Sequence, residues 1–333
     1  MKAALAVIAL ASFLVACAPQ VAPSGSGVHE PSLTKTHFVT ADGLSLPVRR
    51  WLPDHDPSGV VLAVHGFNDY AKSFGVVPNS QGVGPFLASQ GYAVYAYDQR
   101  GFGAAPHAGL WPGEDTIAND FSDFAVVLDG LHPKVPLYAI GVSMGGAVII
   151  SAMTDGSPPP IDSVVLVAPA VWARETMPVS YRAALWLGAH LMPSAKPSGR
   201  GLGRQASDNI DMLRENGRDP LFIKDTRIDS IYGLTNLMDR AQARSGDISV
   251  PALYVYGAND EIIPKGATRK AVEKFLIGEG RRLGFYDSGW HMMLRDLQAG
   301  VVLSDIAGFL LDPARPLQSG ADRAALDRLK AAE

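Results

Sequence analysis

An alternation of short apolar segments with amphipathic ones is the feature of this sequence that most constrains its fold. From residue 36 onward, β-branched and aromatic runs such as 93–97 and 137–140 are separated by stretches with helical spacing, such as 115–131. Parallel strands need a crossover connection, and that connection is usually a helix, so this alternation is typical of a mostly parallel sheet. The sequence therefore predicts an α/β protein with helices on both faces of its sheet.

The same pattern continues to residue 311, with one long interruption. We expect the remaining strands at 36–40 and 44–52, which form a hairpin, and at 60–64, 163–167, 252–256 and 282–286. The remaining helices are expected at 79–90, 144–153, 265–277 and 292–311. Residues 171–248 break the alternation with helical segments near 179–191, 207–216 and 228–243. Because open α/β sheets bind ligands at the carboxyl ends of their strands, this insertion is predicted to be a helical cap over that end.

Composition excludes several classes of protein. Hydrophobic residues make up 47% and charged residues 19% of the 333 residues, which is a globular balance. The net charge is −4, from 29 Lys and Arg against 33 Asp and Glu, so the clustered positive charge that nucleic acid requires is missing. A single cysteine can form neither an internal disulfide nor a thiolate zinc site. We therefore expect a domain held together by its hydrophobic core, with no nucleic-acid partner.

The N-terminus has the organisation of a bacterial lipoprotein leader. Residues 1–16 contain Lys2 and then an apolar run too short to span a bilayer as a mature helix, which is typical of a secretory signal peptide. The run ends in Leu14-Val15-Ala16-Cys17, which resembles the lipobox, where the cysteine is acylated and the leader is cut before it. Residues 17–33 are rich in Pro, Gly and Ser, as in a flexible tether. The alternative is an ordinary signal peptide with an incidental cysteine.

A lipidated Cys17 sets the expected location of the protein. Two or three acyl chains hold a protein to a bilayer far more firmly than one, since each buried CH₂ contributes about 0.8 kcal/mol. Ala18 follows the cysteine, where an Asp would favour retention at the inner membrane of a Gram-negative host. We expect an exported protein whose lipid anchor makes the membrane a partner, at the outer membrane if the host is Gram-negative.

A nucleophile is predicted in the turn Gly141-Val142-Ser143-Met144-Gly145. The turn lies directly after one predicted strand and directly before a helix, which is the context of the nucleophile elbow. Its glycines are needed because the turn is tight and side chains at 141 or 145 would collide with their neighbours. The helix N-terminus directs free N–H groups and the positive end of its dipole at developing negative charge. We therefore assign Ser143 as the nucleophile.

A serine hydroxyl is a weak nucleophile at neutral pH, so a base and a group that orients the base must lie nearby. His291 follows the last predicted strand, where the chain order nucleophile, acid, histidine places the base. Asp260 is the expected acid, because it lies in the loop after strand 252–256. Its neighbour Glu261 should point elsewhere, and Asp287 is a rival acid only four residues before the histidine.

Attack on a carbonyl creates an oxyanion, which needs two preorganised N–H donors. The amide of Met144, next to the nucleophile, is the first candidate. The second is expected from the loop after strand 60–64, which reads His65-Gly66-Phe67. Gly66 lets the backbone turn inward, so that the amide of Phe67 becomes the donor. Alternatively, Gly66 is a simple turn residue and His65 a structural hydrogen-bonding group.

Several motifs together resemble one family. His65-Gly66, Asp98-Gln99-Arg100-Gly101-Phe102-Gly103, Gly141 to Gly146, Gly257 to Pro264 and His291 occur in the order found in α/β-hydrolases of the monoacylglycerol lipase and lysophospholipase type, also called serine aminopeptidase-like. The resemblance implies the α/β-hydrolase fold, with an eight-stranded, mostly parallel sheet and a helical cap. It also implies no cofactor and no metal, and hydrolysis of carboxylic esters of acyl lipids or similar small molecules.

The expected organisation is a signal peptide at 1–16, a lipidated tether at 17–33, a hydrolase domain at 34–312 with its cap near 171–248, and a C-terminal tail at 313–333, in which residues 320–333 are expected to form an exposed charged helix. The cap offers apolar side chains that suit an acyl chain or a membrane-facing entrance, although simple packing would use the same residues: Trp172, Met177, Tyr181, Leu185, Trp186, Leu187, Leu191 and Met192. Three alternatives stay open, namely a serine aminopeptidase, an esterase for small esters, and an inert surface lipoprotein that keeps the fold. An aminopeptidase would need acidic groups in the cap to hold a free amine, from among Glu175, Asp208, Asp211 and Glu215.

Overall fold

A nine-stranded sheet forms the centre of the protein. The computed structural model describes residues 18–197 and 203–333, so the predicted signal peptide and Cys17 lie outside the described residues. The strands are β1 (Ser32–Leu33), β2 (His37–Val39), β3 (Ser45–Trp51), β4 (Gly59–Val64), β5 (Tyr92–Tyr97), β6 (Leu137–Val142), β7 (Ser163–Val167), β8 (Ala252–Gly257) and β9 (Arg281–Tyr286). Their order in the sheet is β1-β2-β3-β5-β4-β6-β7-β8-β9.

The sheet is mostly parallel, which confirms the predicted fold class. Strands β4 to β9 are parallel to one another, whereas β1, β2 and β3 pair antiparallel, and β3 joins the parallel strands through an antiparallel pairing with β5. Strands β4, β5, β7 and β8 are buried along their whole length, as expected for strands covered on both faces. The family resemblance implied eight strands. The ninth is the two-residue β1, which lies within the segment that was expected to be a tether.

Helices cover both faces of the sheet. They are α1 (Val83–Ser89), α2 (Glu114–Leu131), α3 (Met144–Met153), α4 (Val179–Leu191), α5 (Ile210–Arg218), α6 (Ile228–Arg244), α7 (Lys265–Phe275), α8 (Ala299–Leu311) and α9 (Ala325–Ala331). Successive side chains of a strand point to opposite faces. Val60, Leu62 and Val64 accordingly pack in one core with α2, α3 and α7, whereas Val61 and Ala63 pack in a second core with α1 and α8. None of the helices in the described part of the chain is long and apolar enough to cross a membrane.

The interval 171–248 contains α4, α5, α6 and a short 3₁₀ turn at Arg174–Thr176. We call this interval the cap. Trp111 of the core lies against α6 so closely that a Cβ at Gly233 would come within 2.3 Å of its ring. The Ser230 hydroxyl donates a hydrogen bond of 2.8 Å to the carbonyl of Gly109. These contacts fix the cap helix α6 to the core beside the carboxyl ends of the strands.

Two segments differ from the sequence prediction near the C-terminus. The last core helix was expected from residue 292 but begins at Ala299, because residues 291–298 form turns whose polar groups bond to other segments. The tail was expected to be exposed, yet α9 buries Ala325 and Leu329 in the core beside β9. Charged residues on the outer face of α9 conceal this short apolar stripe in the sequence.

The expected tether also lies against the folded domain over part of its length. The Ala22 amide donates a hydrogen bond of 2.7 Å to the carbonyl of Trp111, and the Ala22 side chain is buried. The Gln20 amide donates to the carboxylate of Asp229 at the start of α6, and Arg227 donates to the Gln20 side chain. The Pro, Gly and Ser residues of this segment therefore indicate irregular backbone, and part of the segment is bonded to the folded domain.

Candidate active site

The turn between β6 and α3 holds Ser143 in an unusual conformation. Its φ is +52°, a region that residues with side chains rarely adopt. Surrounding backbone fixes this conformation, because the Ser143 amide donates to the carbonyl of Val167 at 2.9 Å and its carbonyl accepts from the Ala170 amide at 2.9 Å. A Cβ at Gly141 would lie 2.5 Å from the carbonyl oxygen of Gly145, and one at Gly145 would lie 2.1 Å from that of Val64. The close approach of backbone segments therefore requires both glycines.

His291 and Asp260 form a buried pair. His291 Nδ1 lies 2.8 Å from Asp260 Oδ2, and the other carboxylate oxygen accepts hydrogen bonds from the amides of Ile262 and Ile263 at 2.8 and 2.9 Å. A carboxylate can only accept here, so Nδ1 carries the proton and Nε2 keeps a free lone pair. The loop after β8 thus fixes the carboxylate, and the carboxylate fixes the tautomer of His291. Such a histidine can act as a general base.

The two rival acids lie elsewhere. Asp287 is exposed and bonds to Arg328 at 2.7 Å. The Glu261 side chain accepts from the Gln205 amide at 2.6 Å, on the outer side of the loop. Asp260 is therefore the carboxylate that contacts His291, as the position of its loop after β8 indicated.

The loop after β4 lies directly beside Ser143. A Cβ at Gly66 would be 3.4 Å from the Ser143 Cβ. The amides of Phe67 and Met144 donate to no backbone carbonyl among the described residues, so both remain available to a ligand. His65 is buried under this loop. Its Nε2 accepts from the Gln99 amide at 3.0 Å, which leaves Nδ1 to donate to the Gly66 carbonyl at 2.8 Å.

Burial lowers the pKa of His65, so its imidazole is neutral at physiological pH. This neutral ring fixes the backbone of the loop from below. The sequence analysis left two interpretations of His65-Gly66 open, a structural role and a role in shaping the loop beside Ser143. The structure is consistent with both. His65 is a structural hydrogen-bonding group, and it holds Gly66 and Phe67 beside Ser143.

A cavity of about 880 Å³ opens at the carboxyl ends of the strands, under the cap. Ser143, His291 and Phe67 all line it. Most of the other lining side chains are apolar, including Trp172, Met177, Tyr181, Leu185, Leu234 and Met238. The four cap residues Trp186, Leu187, Leu191 and Met192 are exposed instead. The apolar residues predicted for the cap thus divide into a group that lines the cavity, in which Tyr181 is also largely exposed, and a group that is exposed and does not line it.

Two charged residues that the sequence analysis did not single out also line the cavity. The Arg295 guanidinium donates to the Asp69 carboxylate at 2.5 Å, and both side chains are buried. A second Asp69 oxygen accepts from the Tyr70 amide. Sequence spacing gave no signal for this pair, because residues 291–298 form turns and not the expected helix, and Asp69 lies 226 positions from Arg295. The pair places compensated charge in an otherwise apolar cavity.

The cap is tied to the loop beside Ser143. Asp219, just after α5, accepts hydrogen bonds from the Tyr70 hydroxyl at 2.7 Å and from Lys72 Nζ at 2.8 Å. The Asn68 side chain donates to the Thr226 hydroxyl at 2.7 Å, and the Ile223 amide donates to the Asn68 carbonyl at 3.0 Å. Residues 68–72 therefore contact the cap on one side and the core on the other.

A serine on a strand–turn–helix elbow, a histidine after the last strand and a mostly parallel sheet under a helical cap define the class of α/β-hydrolases. The chain belongs, within that class, to the family described as serine aminopeptidase, S33, whose pattern matches residues 55–298. This membership confirms the resemblance seen in the sequence.

Individual relatives agree with the assignment. The chain is 27% identical to the monoacylglycerol lipase of Mycolicibacterium smegmatis over 282 residues, which cover 82% of this chain and 95% of the relative. It is 26% identical to the monoglyceride lipase of Mus musculus, over 78% of this chain and 84% of the relative. The crystal structure of the monoacylglycerol lipase of Paleococcus ferrophilus superposes with a TM-score of 0.62 at 21% identity, covering 80% of this chain and 99% of that one. The chain is thus an enzyme of the carboxylic ester hydrolase type.

Proposed function

We propose that Ser143, His291 and Asp260 hydrolyse carboxylic esters of acyl lipids through an acyl-enzyme. Ser143 Oγ attacks the acyl carbonyl while His291 accepts its proton, and Asp260 stabilises the imidazolium that forms. His291 then donates that proton to the leaving alcohol, which breaks the ester bond. In the second half of the reaction His291 activates a water molecule, which releases the acid and restores the serine. The contact between Asp260 and His291, beside a cavity that Ser143 also lines, supports this sequence of steps.

The amides of Phe67 and Met144 are the proposed donors to the tetrahedral oxyanion. Each loss of such a donor typically lowers kcat by about 10²- to 10³-fold. Met144 begins α3, so its amide is one of the helix N-terminal groups that have no acceptor inside the helix. Phe67 follows Gly66, whose position beside Ser143 brings its amide to the same place.

The apolar cavity is the observation that carries the proposed substrate class. Side chains such as Tyr181, Leu185 and Met238 offer an acyl chain an apolar surface, which contributes about 25 cal/mol per Å² of area removed from water. The Asp69–Arg295 pair provides polar groups for the alcohol portion, and its two charges compensate one another. An uncharged or zwitterionic alcohol therefore fits better than a strongly anionic one. We propose monoacylglycerol-like or lysophospholipid-like esters.

A serine aminopeptidase is the second candidate, because the family bears that name. It would need a carboxylate in the cavity to bind a free amine. Glu175, Asp208, Asp211 and Glu215 all belong to the described part of the chain, and none of them lines the cavity. Glu175 instead pairs with Lys270, and Asp211 pairs with Arg214 at the surface. Asp69 is a carboxylate that does line the cavity, but its charge is paired with that of Arg295. Together these positions favour ester hydrolysis over cleavage of a free N-terminus.

Chain-length dependence tests the proposal. We expect purified protein of residues 18–333 to release nitrophenol from p-nitrophenyl esters, with kcat/KM highest for acyl chains of eight carbons or more, as an order-of-magnitude expectation for a cavity of this type. An optimum at two to four carbons would indicate an esterase for small esters. Absence of release at every length would contradict the proposed hydrolysis of acyl esters.

Ser143→Ala is the matched variant for the same assay. The expected result is a loss of about 10⁵-fold or more in kcat, because the nucleophile is removed. The fold should be retained, since the backbone of Ser143, and not its hydroxyl, makes the contacts that hold the turn. Unchanged hydrolysis by this variant would contradict the proposed nucleophile.

We further propose that the protein is an exported lipoprotein whose acylated Cys17 holds it at a membrane. Gln20, three residues after Cys17, is bonded to Arg227 and Asp229 at the start of α6. The amide of Asp229 in turn donates to the carbonyl of Pro193, next to the exposed Leu191 and Met192. Gln20 thus lies near the exposed apolar part of the cap, and three residues of chain, which span at most roughly 10 Å at 3.3–3.6 Å per residue, separate it from the proposed site of acylation.

Metabolic labelling with palmitate tests the anchor. The expected result is incorporation in the native protein and none in Cys17→Ser. Fractionation of the same cells should place the native protein with membranes. Label that survives in Cys17→Ser would contradict the lipoprotein proposal and would leave the hydrolase proposal unaffected.

A further inference from the structure

A segment of the cap runs across the loops that carry Asp260 and His291. We call residues 204–209 the bracing segment. At its first end, the Arg204 guanidinium donates to the Glu261 carbonyl at 2.6 Å, and the Gln205 amide donates to the Glu261 carboxylate at 2.6 Å. Glu261 is the residue directly after Asp260. The bracing segment is therefore bonded to the acid loop one residue away from the acid itself.

The middle of the bracing segment is bonded to the loop that carries the base. The Met292 amide donates to the carbonyl of Ala206 at 2.9 Å. The Ser207 hydroxyl donates to Asp296 Oδ1 at 2.5 Å, and Asp296 Oδ2 accepts from the Trp290 amide at 2.8 Å. Trp290 and Met292 are the two neighbours of His291 in the chain. The bracing segment thus bonds to one neighbour directly and to the other through Asp296.

The bracing segment is itself fixed at its second end. The Asn209 side-chain amide donates to the carbonyl of Arg295 at 2.8 Å and to that of Pro78 at 2.6 Å. Its backbone amide donates to the Ser207 hydroxyl at 3.1 Å, so that this hydroxyl both donates and accepts. The side chains of Ser207, Asn209 and Asp296 are all buried. A buried and fully bonded arrangement of this kind holds one geometry.

We propose that Ser207 and Asp296 are positioning residues that hold the backbone on either side of His291, and thereby place its imidazole between Asp260 and the nucleophile. This inference rests on the proposed function of His291 as the base. Neither residue needs to touch substrate, and neither lines the cavity. Their contribution is geometric, because a displacement of about 1 Å at a catalytic group can lower the rate by about 10²-fold.

The carboxylate of Asp296 suits this role chemically. One oxygen accepts from the Trp290 amide and the other from Ser207, so both hydrogen bonds use the acceptor-only ionised form. Burial raises the pKa of Asp296 to about 6. At neutral pH the group is ionised, and a hydrogen bond to an ionised acceptor is stronger than one between neutral groups.

Three variants test the proposal, with kcat and KM measured separately on a p-nitrophenyl ester. Ser207→Ala deletes one hydroxyl, and we expect kcat to fall about 5- to 10-fold with KM within twofold of the native value. Asp296→Ala deletes both acceptors and should lower kcat about 100-fold. Asp296→Asn keeps an oxygen for the Trp290 amide, and Ser207 can rotate to accept from its amide group. We expect this conservative variant to keep kcat within about threefold.

Asp305 offers a matched control. It is also a buried carboxylate in the C-terminal part of the chain, and it accepts from the hydroxyl of Tyr286 at 2.8 Å and from Ser319. It lies in α8, away from the cavity. Asp305→Ala should destabilise the fold as Asp296→Ala does, yet leave kcat of the folded protein within twofold. An equal loss of kcat in both variants would mean that Asp296 acts only through general stability, and would overturn the proposal.

A second measurement separates this inference from the proposed function. The ring ¹⁵N–¹H correlations of His291, assigned with His291→Gln, report the position of the imidazole without any substrate. We expect Ser207→Ala to shift or broaden them, and Asp305→Ala to leave them unchanged. Native protein without esterase activity would overturn the proposed function alone. Unchanged His291 signals and unchanged kcat in folded Ser207→Ala would overturn the positioning role alone.

Discussion

The proposed nucleophile and the proposed acid–base pair are held in place by different means. Ser143 lies in continuous backbone between β6 and α3, and its conformation depends on backbone contacts with β4 and β7. Asp260 and His291 come from two separate loops, and side-chain hydrogen bonds from those loops and from the cap hold them together. Backbone packing in the core therefore fixes one half of the site, which we call the backbone half, while polar side chains fix the other, which we call the polar half. The two halves should therefore respond differently to substitution.

Asp260→Asn gives the largest effect expected on the polar half. An asparagine would offer its amide group or its oxygen to His291 and would no longer hold the tautomer that leaves Nε2 free. We expect kcat to fall about 10⁴-fold with little change in KM. Steady-state kinetics on a p-nitrophenyl ester measures the effect. Asp287→Asn is the control, because that exposed rival acid bonds to Arg328 and should keep native activity. Equal losses in the two variants would contradict the assignment of the acid.

Gly145→Ala is the corresponding test of the backbone half. The new Cβ would lie 2.1 Å from the carbonyl oxygen of Val64, and both groups belong to backbone that cannot move independently. We expect a loss of about 3 kcal/mol or more in the free energy of unfolding, at the upper end of overpacking effects. Urea denaturation measures it. Gly130→Ala, where a Cβ would have no neighbour within 4 Å, should be neutral or stabilising by about 0.5–1 kcal/mol. Equal stability of the two variants would show that the turn has room to adjust.

The contrast between local backbone contacts and long-range side-chain hydrogen bonds explains how much of the site could be predicted from the sequence. The elbow is a local pattern, so Ser143 and its glycines could be identified from five consecutive residues. Asp260 and His291 could be identified because each follows a recognisable strand. The bond between Ser207 and Asp296 joins residues 89 positions apart, and no local pattern connects them.

In the cap, too, a local sequence pattern predicts the helix but not the role of each side chain. A run of apolar residues predicted α4 correctly, with the bounds 179–191. The run itself could not separate Leu185, which lines the cavity, from Leu187 and Leu191, which are exposed and do not line it. That division depends on where α6 packs, and the packing of α6 depends on Trp111, far away in the sequence. Tertiary contacts of this kind decide the roles of similar side chains.

The contribution of Asp296 to the free energy of unfolding should depend on pH, which sets the polar half apart from the backbone half. Burial raises the pKa of Asp296 from its ordinary value of 3.8 to about 6. The folded protein therefore binds this proton more tightly than the unfolded chain does. The stabilisation is fully present below pH 4 and is lost as the pH rises through 6. Two pKa units correspond to about 3 kcal/mol. We expect the free energy of unfolding of the native protein, relative to Asp296→Asn, to fall by up to that amount between pH 4 and pH 7.

Denaturant titrations of the two proteins at pH 4, 5, 6 and 7 measure this difference. Gly130→Ala serves as the control, because its stability relative to the native protein should not change with pH. A constant difference between the native protein and Asp296→Asn would contradict the raised pKa of Asp296. It would leave the geometric role of Asp296 to the kinetic test.

The smallest effect on stability is expected for the hydrogen bonds between Asp219 of the cap and the loop at residues 68–72. Burial of Asp219 opposes its ionisation, but the hydrogen bonds from Lys72 and Tyr70 outweigh it and lower its pKa to about 2. This stabilisation is present above pH 4 and is lost as the pH falls through 2. Because Lys72 is half exposed, solvent screens the pair, and Asp219→Asn should lower the free energy of unfolding at pH 7 by only about 1 kcal/mol.

The kcat of Asp219→Asn then shows whether the geometry of the backbone half depends on the cap. His65 holds Gly66 and Phe67 from the core, so we expect kcat to stay within about threefold of the native value. Asp211→Asn removes an exposed pair with Arg214 on α5 and should change neither stability nor kcat. A loss of kcat in Asp219→Asn as large as that expected for Ser207→Ala would mean that the cap also positions the loop beside Ser143. Both halves of the site would then depend on the cap, because one ion pair would transmit the position of the cap to the amide of Phe67, the proposed oxyanion donor in that loop.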